Sequence, residues 1–156
     1  MSASLIALGL FMFVNLLAAS SGAAFPPGDW YESLDKPSWT PPNWAFPVVW
    51  TMIFIMVAVS GWLVWEAAGW GAAGALGLYG ANLALNAGWS AIFFGLKRMD
   101  LALAEVAFLW LSIAALIWAF SVYSTLAALL LLPYLLWVTV AAALNLRMVQ
   151  LNPRAI

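Results

Sequence analysis

The sequence predicts an all-α integral membrane protein, a bundle of five transmembrane helices with a structured loop between helices 1 and 2. Three observations carry that prediction. The chain of 156 residues is 67% hydrophobic and 7% charged, against about 45–50% apolar and about 25% charged in soluble domains. Its apolar runs are long enough to cross a hydrocarbon core of ~30 Å at ~1.5 Å per helical residue. One long stretch breaks the pattern: Trp30 to Trp44 carries Trp30, Trp39 and Trp44, the acids Glu32 and Asp35, and prolines at 37, 41 and 42. Those prolines remove backbone donors and push Lys36 and Thr40 toward extended geometry, so this stretch is expected to form a rigid cap rather than a simple helix.

Composition also excludes chemistry. There is no cysteine and no histidine, which removes disulfides, thiol nucleophiles, histidine general bases and His or Cys ligation of zinc or haem iron. No cofactor and no metal site is expected. The net charge of −1 offers neither a nucleic-acid surface nor a polybasic lipid-binding tail.

The chain is read as one domain, 1–156, with spans at about 5–24, 44–65, 71–96, 101–121 and 126–146, and the cap loop at about 25–43. The first run lacks a basic start and is long for a signal core, so it reads as a retained span. On it Asn15, Ala18, Ala19 and Gly22 share a mostly small face that suits helix packing. Pro47 stands near the start of span two, where a missing N–H is tolerated. A Gly-rich turn around Gly69 and Gly71 leads into span three, which ends before Lys97-Arg98-Met99-Asp100. The uncharged stretch from Val106 to Leu146 is too long for one crossing and divides at 121–125. With five spans, Lys36, Lys97, Arg98, Arg147 and Arg154 fall on one side and Glu66 on the other. The excess of positive charge places the long loop and C-terminus in the cytoplasm and the N-terminus outside.

Span three has two distinct faces. Asn82, Asn86, Trp89, Ser90 and Phe93 share one helical face, assigned to the bundle interior. Gly77, Ala81, Ala84 and Gly88 occupy roughly the other, which suits close packing with another subunit or within the chain. Among the indoles, Trp30, Trp39, Trp44, Trp65 and Trp70 read as interfacial anchors. Trp50 and Trp137 lie deeper, where a pocket-lining role competes. Glu105 reads as an interfacial acid near the start of span four, with Lys97 and Arg98 as expected partners.

Trp30-Tyr31-x-x-Leu34-x-Lys36-Pro37-x-Trp39-x-Pro41-Pro42 resembles the first-loop signature of the TspO/translocator-protein family, the tryptophan-rich sensory proteins. The resemblance continues through Trp50, the Asn82/Asn86 region, Phe93-Phe94-Gly95-x-Lys97-Arg98, Pro133-Tyr134-x-x-Trp137 and Leu144-Asn145. It implies a five-helix bacterial membrane protein, commonly a homodimer, that binds porphyrins and other hydrophobic small molecules beneath the first loop and is linked to tetrapyrrole regulation and stress. Carried over by position, the ligand-binding residues are Tyr31, Trp50, Phe54, Asn86, Trp89, Ser90, Trp137 and Ala141, with Asn86 and loop groups meeting the ligand's carboxylates. Trp50 and Trp137 match the pair implicated in light- and oxygen-dependent porphyrin breakdown and are expected on facing walls of the pocket. They are the catalytic candidates of an enzyme reading, and tetrapyrrole transport is a third. Leu146 stands where the family's sterol motif needs an aromatic, which argues against sterol recognition.

Overall fold

In the computed structural model, which describes residues 2–155, the elements run α1 (Ala3–Ala24), α2 (Asp29–Glu32), α3 (Ala45–Ala68), a 3-10 turn (Gly69–Ala72), α4 (Ala73–Ser90), a π-helical turn (Ala91–Gly95), α5 (Met99–Ser121), α6 (Thr125–Leu130) and α7 (Leu132–Leu151). No strand occurs among the described residues. Four stretches are long and apolar enough to span a membrane, and one of them, Ala45–Gly95, runs for 51 residues. Such a helix would extend ~76 Å, more than twice the ~30 Å core. It folds back at Gly69, whose φ of 49° suits glycine. The reversal pairs α3 with α4 about that turn, because the Tyr79 hydroxyl donates to the Val57 carbonyl at 3.3 Å. The bundle therefore makes five crossings.

The helices close into a ring in the order α1, α4, α5, α6/α7, α3, with α1 returning to α3. At one end lie the N-terminus, the α3–α4 turn and the α5–α6 turn, where Tyr123 Oη donates to the Gly71 carbonyl. At the other lie the loop between α1 and α3, the α4–α5 turn and the C-terminus. The loop is tied there by a reciprocal pair: the Asp35 amide donates to Asn152 Oδ1 and Asn152 Nδ2 donates to the Asp35 carbonyl, both at 2.9 Å. All five basic residues belong to this second end.

Three local departures from the sequence reading have physical causes. The loop does contain helix, the single turn Asp29–Glu32, since no proline interrupts those four residues and its acids favour a helix start. The last crossing is interrupted at Leu131 between α6 and α7. Pro133 has no N–H to donate and its ring would clash with the preceding turn. Regular α4 stops at Ser90, and Leu96 N–H reaches back five residues to the Ala91 carbonyl at 2.8 Å. Two residues beyond the π-turn, Lys97 sits at φ 56°, outside helical geometry, and separates it from α5.

Polar residues mark which faces point inward. On α1 only Ala7, Asn15 and Ala18 are buried, while Leu5, Leu10, Phe13 and Leu16 face outward, as expected where the solvent is lipid. Asn15 Nδ2 donates to the Phe11 carbonyl at 2.8 Å and to the Tyr79 hydroxyl. Ser60 Oγ donates to the Ala127 carbonyl at 2.7 Å, closing α3 on α6 at the end away from the loop. Toward the loop end α3 makes only sparse contact with α7.

Candidate functional site

Where α3 parts from α7 the bundle holds a cavity of about 600 Å³. All five crossings contribute to it. Its walls include Tyr31 from the loop, Trp50 and Phe54 from α3, Asn86, Trp89 and Ser90 from α4, and Trp137 and Ala141 from α7, so every residue expected at a ligand site lines one space. The volume lies within the ~300–1,000 Å³ typical of small-molecule pockets. The residues that sequence reasoning missed come from three places. Ala19, Gly22 and Phe25 close the α1 side, Phe46 stands a turn before Trp50, and Leu144, Asn145 and Met148 form the end of the α7 wall. On α1 the only signal in the sequence is the small-residue face, which suits helix packing equally.

Trp50 and Trp137 stand on neighbouring helices a turn apart, not on facing walls. Trp50 meets Tyr134 edge-on at 6.1 Å and Trp137 meets Phe46 edge-on at 5.7 Å, so the two indoles interleave with the aromatic rings of the opposite helix across the α3–α7 seam. The wall opposite belongs to α4 and α5. There Trp89 stacks on Phe93 at 4.9 Å, Phe93 meets Phe94 at 4.8 Å, and Tyr31 rests on Phe94 at 5.5 Å. Gly95 lets Phe25 approach this cluster, since a Cβ would lie 2.8 Å from its ring. The π-turn thus places two consecutive phenylalanines under the cap, a use of irregular helix often seen at functional sites.

The cap is held from its own interior. Lys36 Nζ donates to the carbonyls of Glu32 and Leu34, both at 3.2 Å, and lies 4.5 Å over the Tyr31 ring. Burial, with the neighbouring Glu32 charge adding to it, pushes the Tyr31 hydroxyl above its ordinary value. Of the expected anchors, Trp39, Trp44 and Trp70 are exposed near the bundle ends. Trp30 instead packs on Phe93 at 6.0 Å and Trp65 on Trp70 at 5.3 Å.

Some polar groups of the site are committed, while the indole N–H of Trp137, a residue of the cavity wall, is buried without a partner. Trp89 Nε1 donates to Asn145 Oδ1 at 3.4 Å, and Asn145 Nδ2 donates to the Met99 carbonyl at 2.9 Å. Asn86 Nδ2 donates to the Tyr134 hydroxyl at 2.9 Å. Glu105 does not pair as expected. Arg98 turns to Asp100 with two bonds, at 2.8 and 2.5 Å, because the two side chains meet across the start of α5, and both Glu105 oxygens are sealed without a partner.

The sequence itself matches a known family and named relatives. The TspO/MBR family model matches residues 4–151. The chain is 42% identical over 146 residues to a protein of Cereibacter sphaeroides named "Tryptophan-rich sensory protein", covering 90% of this chain and 91% of that one. It is 40% identical over 152 residues to "Protein CrtK" of Rhodobacter capsulatus, covering 96% and 95%. It is 36% identical over 148 residues to "Translocator protein" of Bos taurus, covering 91% and 88%.

Proposed function

This chain belongs to the TspO/MBR family, and from that premise we propose that it is a bacterial membrane receptor or sensor for porphyrins and other flat hydrophobic ligands. The cavity beneath the first loop carries the proposal. It combines two indoles at the α3–α7 seam, a stacked Trp89–Phe93 pair on α4 and an aromatic cap, surfaces that suit the faces of an aromatic macrocycle through offset stacking and apolar burial. The cavity lies toward the loop end, and the other half of the bundle is filled by Val57, Ala58, Val64 and Ala72, each at most 1% exposed. This favours binding over passage through the bundle. The basic end, which includes the cap, is assigned to the cytoplasm.

Tryptophan emission titrated in darkness with protoporphyrin in detergent is expected to quench and saturate. A linear decline without saturation counts against a site. The enzyme reading has its own support, since Trp50 and Trp137 both line the cavity. Under light and oxygen, Trp137→Phe is expected to keep dark affinity within about threefold, because stacking and area burial survive. Porphyrin loss should slow, because phenylalanine lacks the readily oxidised indole. Undiminished loss in both Trp50→Phe and Trp137→Phe would remove the enzyme reading and leave the receptor.

The protein is further proposed to be a homodimer. Gly77, Ala81 and Ala84 are exposed, and a Cβ at Gly77 or Gly88 would meet nothing within 4 Å, so the small face of α4 is unused within the chain. Two such faces allow close backbone approach and dispersion contact. Ala84→Leu is expected to shift sizing in detergent from dimer to monomer. An unchanged elution position would exclude this face as the seam.

A further inference from the structure

The hydrogen bonds behind the cavity have a direction, and that direction determines what Asn86 offers a ligand. The chain of bonds starts at the Leu109 carbonyl, which can only accept. Ser112 Oγ–H donates to it at 2.7 Å, which spends the single hydroxyl proton of Ser112 and leaves its oxygen to accept from Asn82 Nδ2 at 2.8 Å. The amide of Asn82 is thereby oriented with Oδ1 toward α7, where it accepts the Tyr134 hydroxyl proton at 3.3 Å. Tyr134 has no second proton, so toward Asn86 it can only accept, and Asn86 Nδ2 donates to it at 2.9 Å. The relay crosses from α5 to α4, to α7 and back to α4. Its members Asn82 and Tyr134 are buried at 0% and 2% exposure.

Each link forbids the reverse orientation of the next, so the backbone carbonyl of Leu109 orients the Asn86 amide through three intervening side chains. Asn86 Nδ2 is turned to the protein. Its Oδ1 takes no hydrogen bond from the chain and is not among the side-chain atoms sealed from the interior space, on a residue that lines the cavity. No lysine or arginine lines the cavity among the described residues, and the cap's Lys36 is occupied by carbonyls. Nothing cationic draws an anionic group toward this wall. This replaces the expectation that Asn86 meets carboxylates, because two acceptors facing each other repel.

We propose that the cavity selects flat apolar ligands carrying an N–H or O–H donor, which bonds to Asn86 Oδ1, and that Tyr134 is the positioning residue that sets this preference. The proposal rests on the reading of this cavity as the ligand site. It names the chemistry of the ligand at one atom: a pyrrolic, lactam or hydroxyl hydrogen satisfies Asn86, and a ring oxygen in the same place leaves the buried amide oxygen unpaired.

Carbazole and dibenzofuran test it, being the same tricyclic frame with N–H in one and an ether oxygen in the other. Each is titrated into wild type, Asn86→Leu and Tyr134→Phe in the same detergent, with affinity corrected for micelle partition. Carbazole is read by its own emission, and dibenzofuran by its displacement of carbazole. Wild type is expected to favour carbazole about tenfold, the size of one hydrogen bond plus an unpaired acceptor. In Asn86→Leu the ratio should fall to about one. In Tyr134→Phe the amide is released to rotate, and the ratio should also fall toward one while both ligands still bind. A role for Tyr134 in packing alone would weaken both ligands equally and keep the ratio. A wild-type ratio of one or less, no measurable carbazole binding, or a ratio unchanged in Asn86→Leu overturns the proposal, and Asn86→Leu decides it should Tyr134→Phe fail to fold. Saturable protoporphyrin quenching alongside any of these results leaves the receptor reading standing. Its absence, with the carbazole preference intact, would fault the porphyrin reading alone.

Discussion

Gly61→Val is expected to lower the apparent thermal midpoint in detergent by roughly 10 °C, the largest stability effect of any single substitution considered. Gly61 lies on α3 where α1 and α4 both approach. A Cβ there would stand 2.8 Å from the Phe11 ring and 2.9 Å from Tyr79. Phe11 sits partly on the lipid side and can swing away. Tyr79 is held by Asn15 and by its bond to the Val57 carbonyl, and its ring lies against Phe120 at 6.0 Å. Overpacking costs about 1–3 kcal/mol where neighbours can yield, and the upper end applies where one is pinned by hydrogen bonds. At about 2–4 °C per kcal/mol for a chain of this size, that gives the stated shift. Gly61→Ala should fall less. Full rescue of Gly61→Val by Phe11→Ala would show that Tyr79 is not the obstacle.

Gly61 was not singled out in the sequence, and the reason extends to much of the interior. In a soluble helix the core face is read from apolar against polar positions, but here lipid and core are both apolar. The periodicity of α1 therefore says nothing about Leu10 and Leu16 pointing outward or Ala7 and Ala18 pointing in. Only polar residues break the degeneracy. Asn82 and Asn86 identified the inner face of α4 because an amide in hydrocarbon needs a partner, and the relay through Tyr134 and Ser112 supplies it. The five crossings were legible from the charge-free lengths and the placement of basic residues, which do not depend on knowing which face is buried. Backbone irregularities were less so. Pro133 carries a local reason for the break at Leu131, whereas no proline or glycine pattern marks the start of the π-turn at Ala91–Gly95.

The cap shows the same division. Its prolines and tryptophans announce a structured loop. The Asp35–Asn152 pairing joins residues 117 apart, and no local pattern connects them. Four segments, the cap, the π-turn, the start of α5 and the end of α7, converge on one buried group that includes Tyr31, Leu34, Phe93, Met99, Leu144 and Met148. Tertiary contact decides that convergence. The resemblance of the loop signature points to the cavity, but the contribution of α1 to its wall is marked only by a small-residue face that suits helix packing equally.

Ala141→Trp is expected to weaken ligand binding at least a hundredfold, the largest effect on the site from one residue. Ala141 follows Trp137 by one turn on α7 and lines the cavity with Leu144 and Asn145 beyond it. Its side chain is small where the neighbouring wall is aromatic, so a ligand reaching the Trp89–Phe93 stack from the seam passes over it. An indole brings roughly 150–250 Å² of surface that must be buried, and the space available to bury it is the cavity of about 600 Å³ itself. Unlike Gly61, this position faces open volume, so the added ring displaces ligand and leaves the helix packing intact. A hundredfold loss corresponds to about 2.7 kcal/mol, less than the burial and stacking that an excluded macrocycle would forfeit. The thermal midpoint of Ala141→Trp should stay at the wild-type value or rise, since filling a cavity adds contacts. Dark protoporphyrin quenching measured beside that midpoint separates the cases: lost affinity with an unchanged or raised midpoint is the expected pair, and wild-type affinity in a folded variant would mean that the ligand binds elsewhere on the protein.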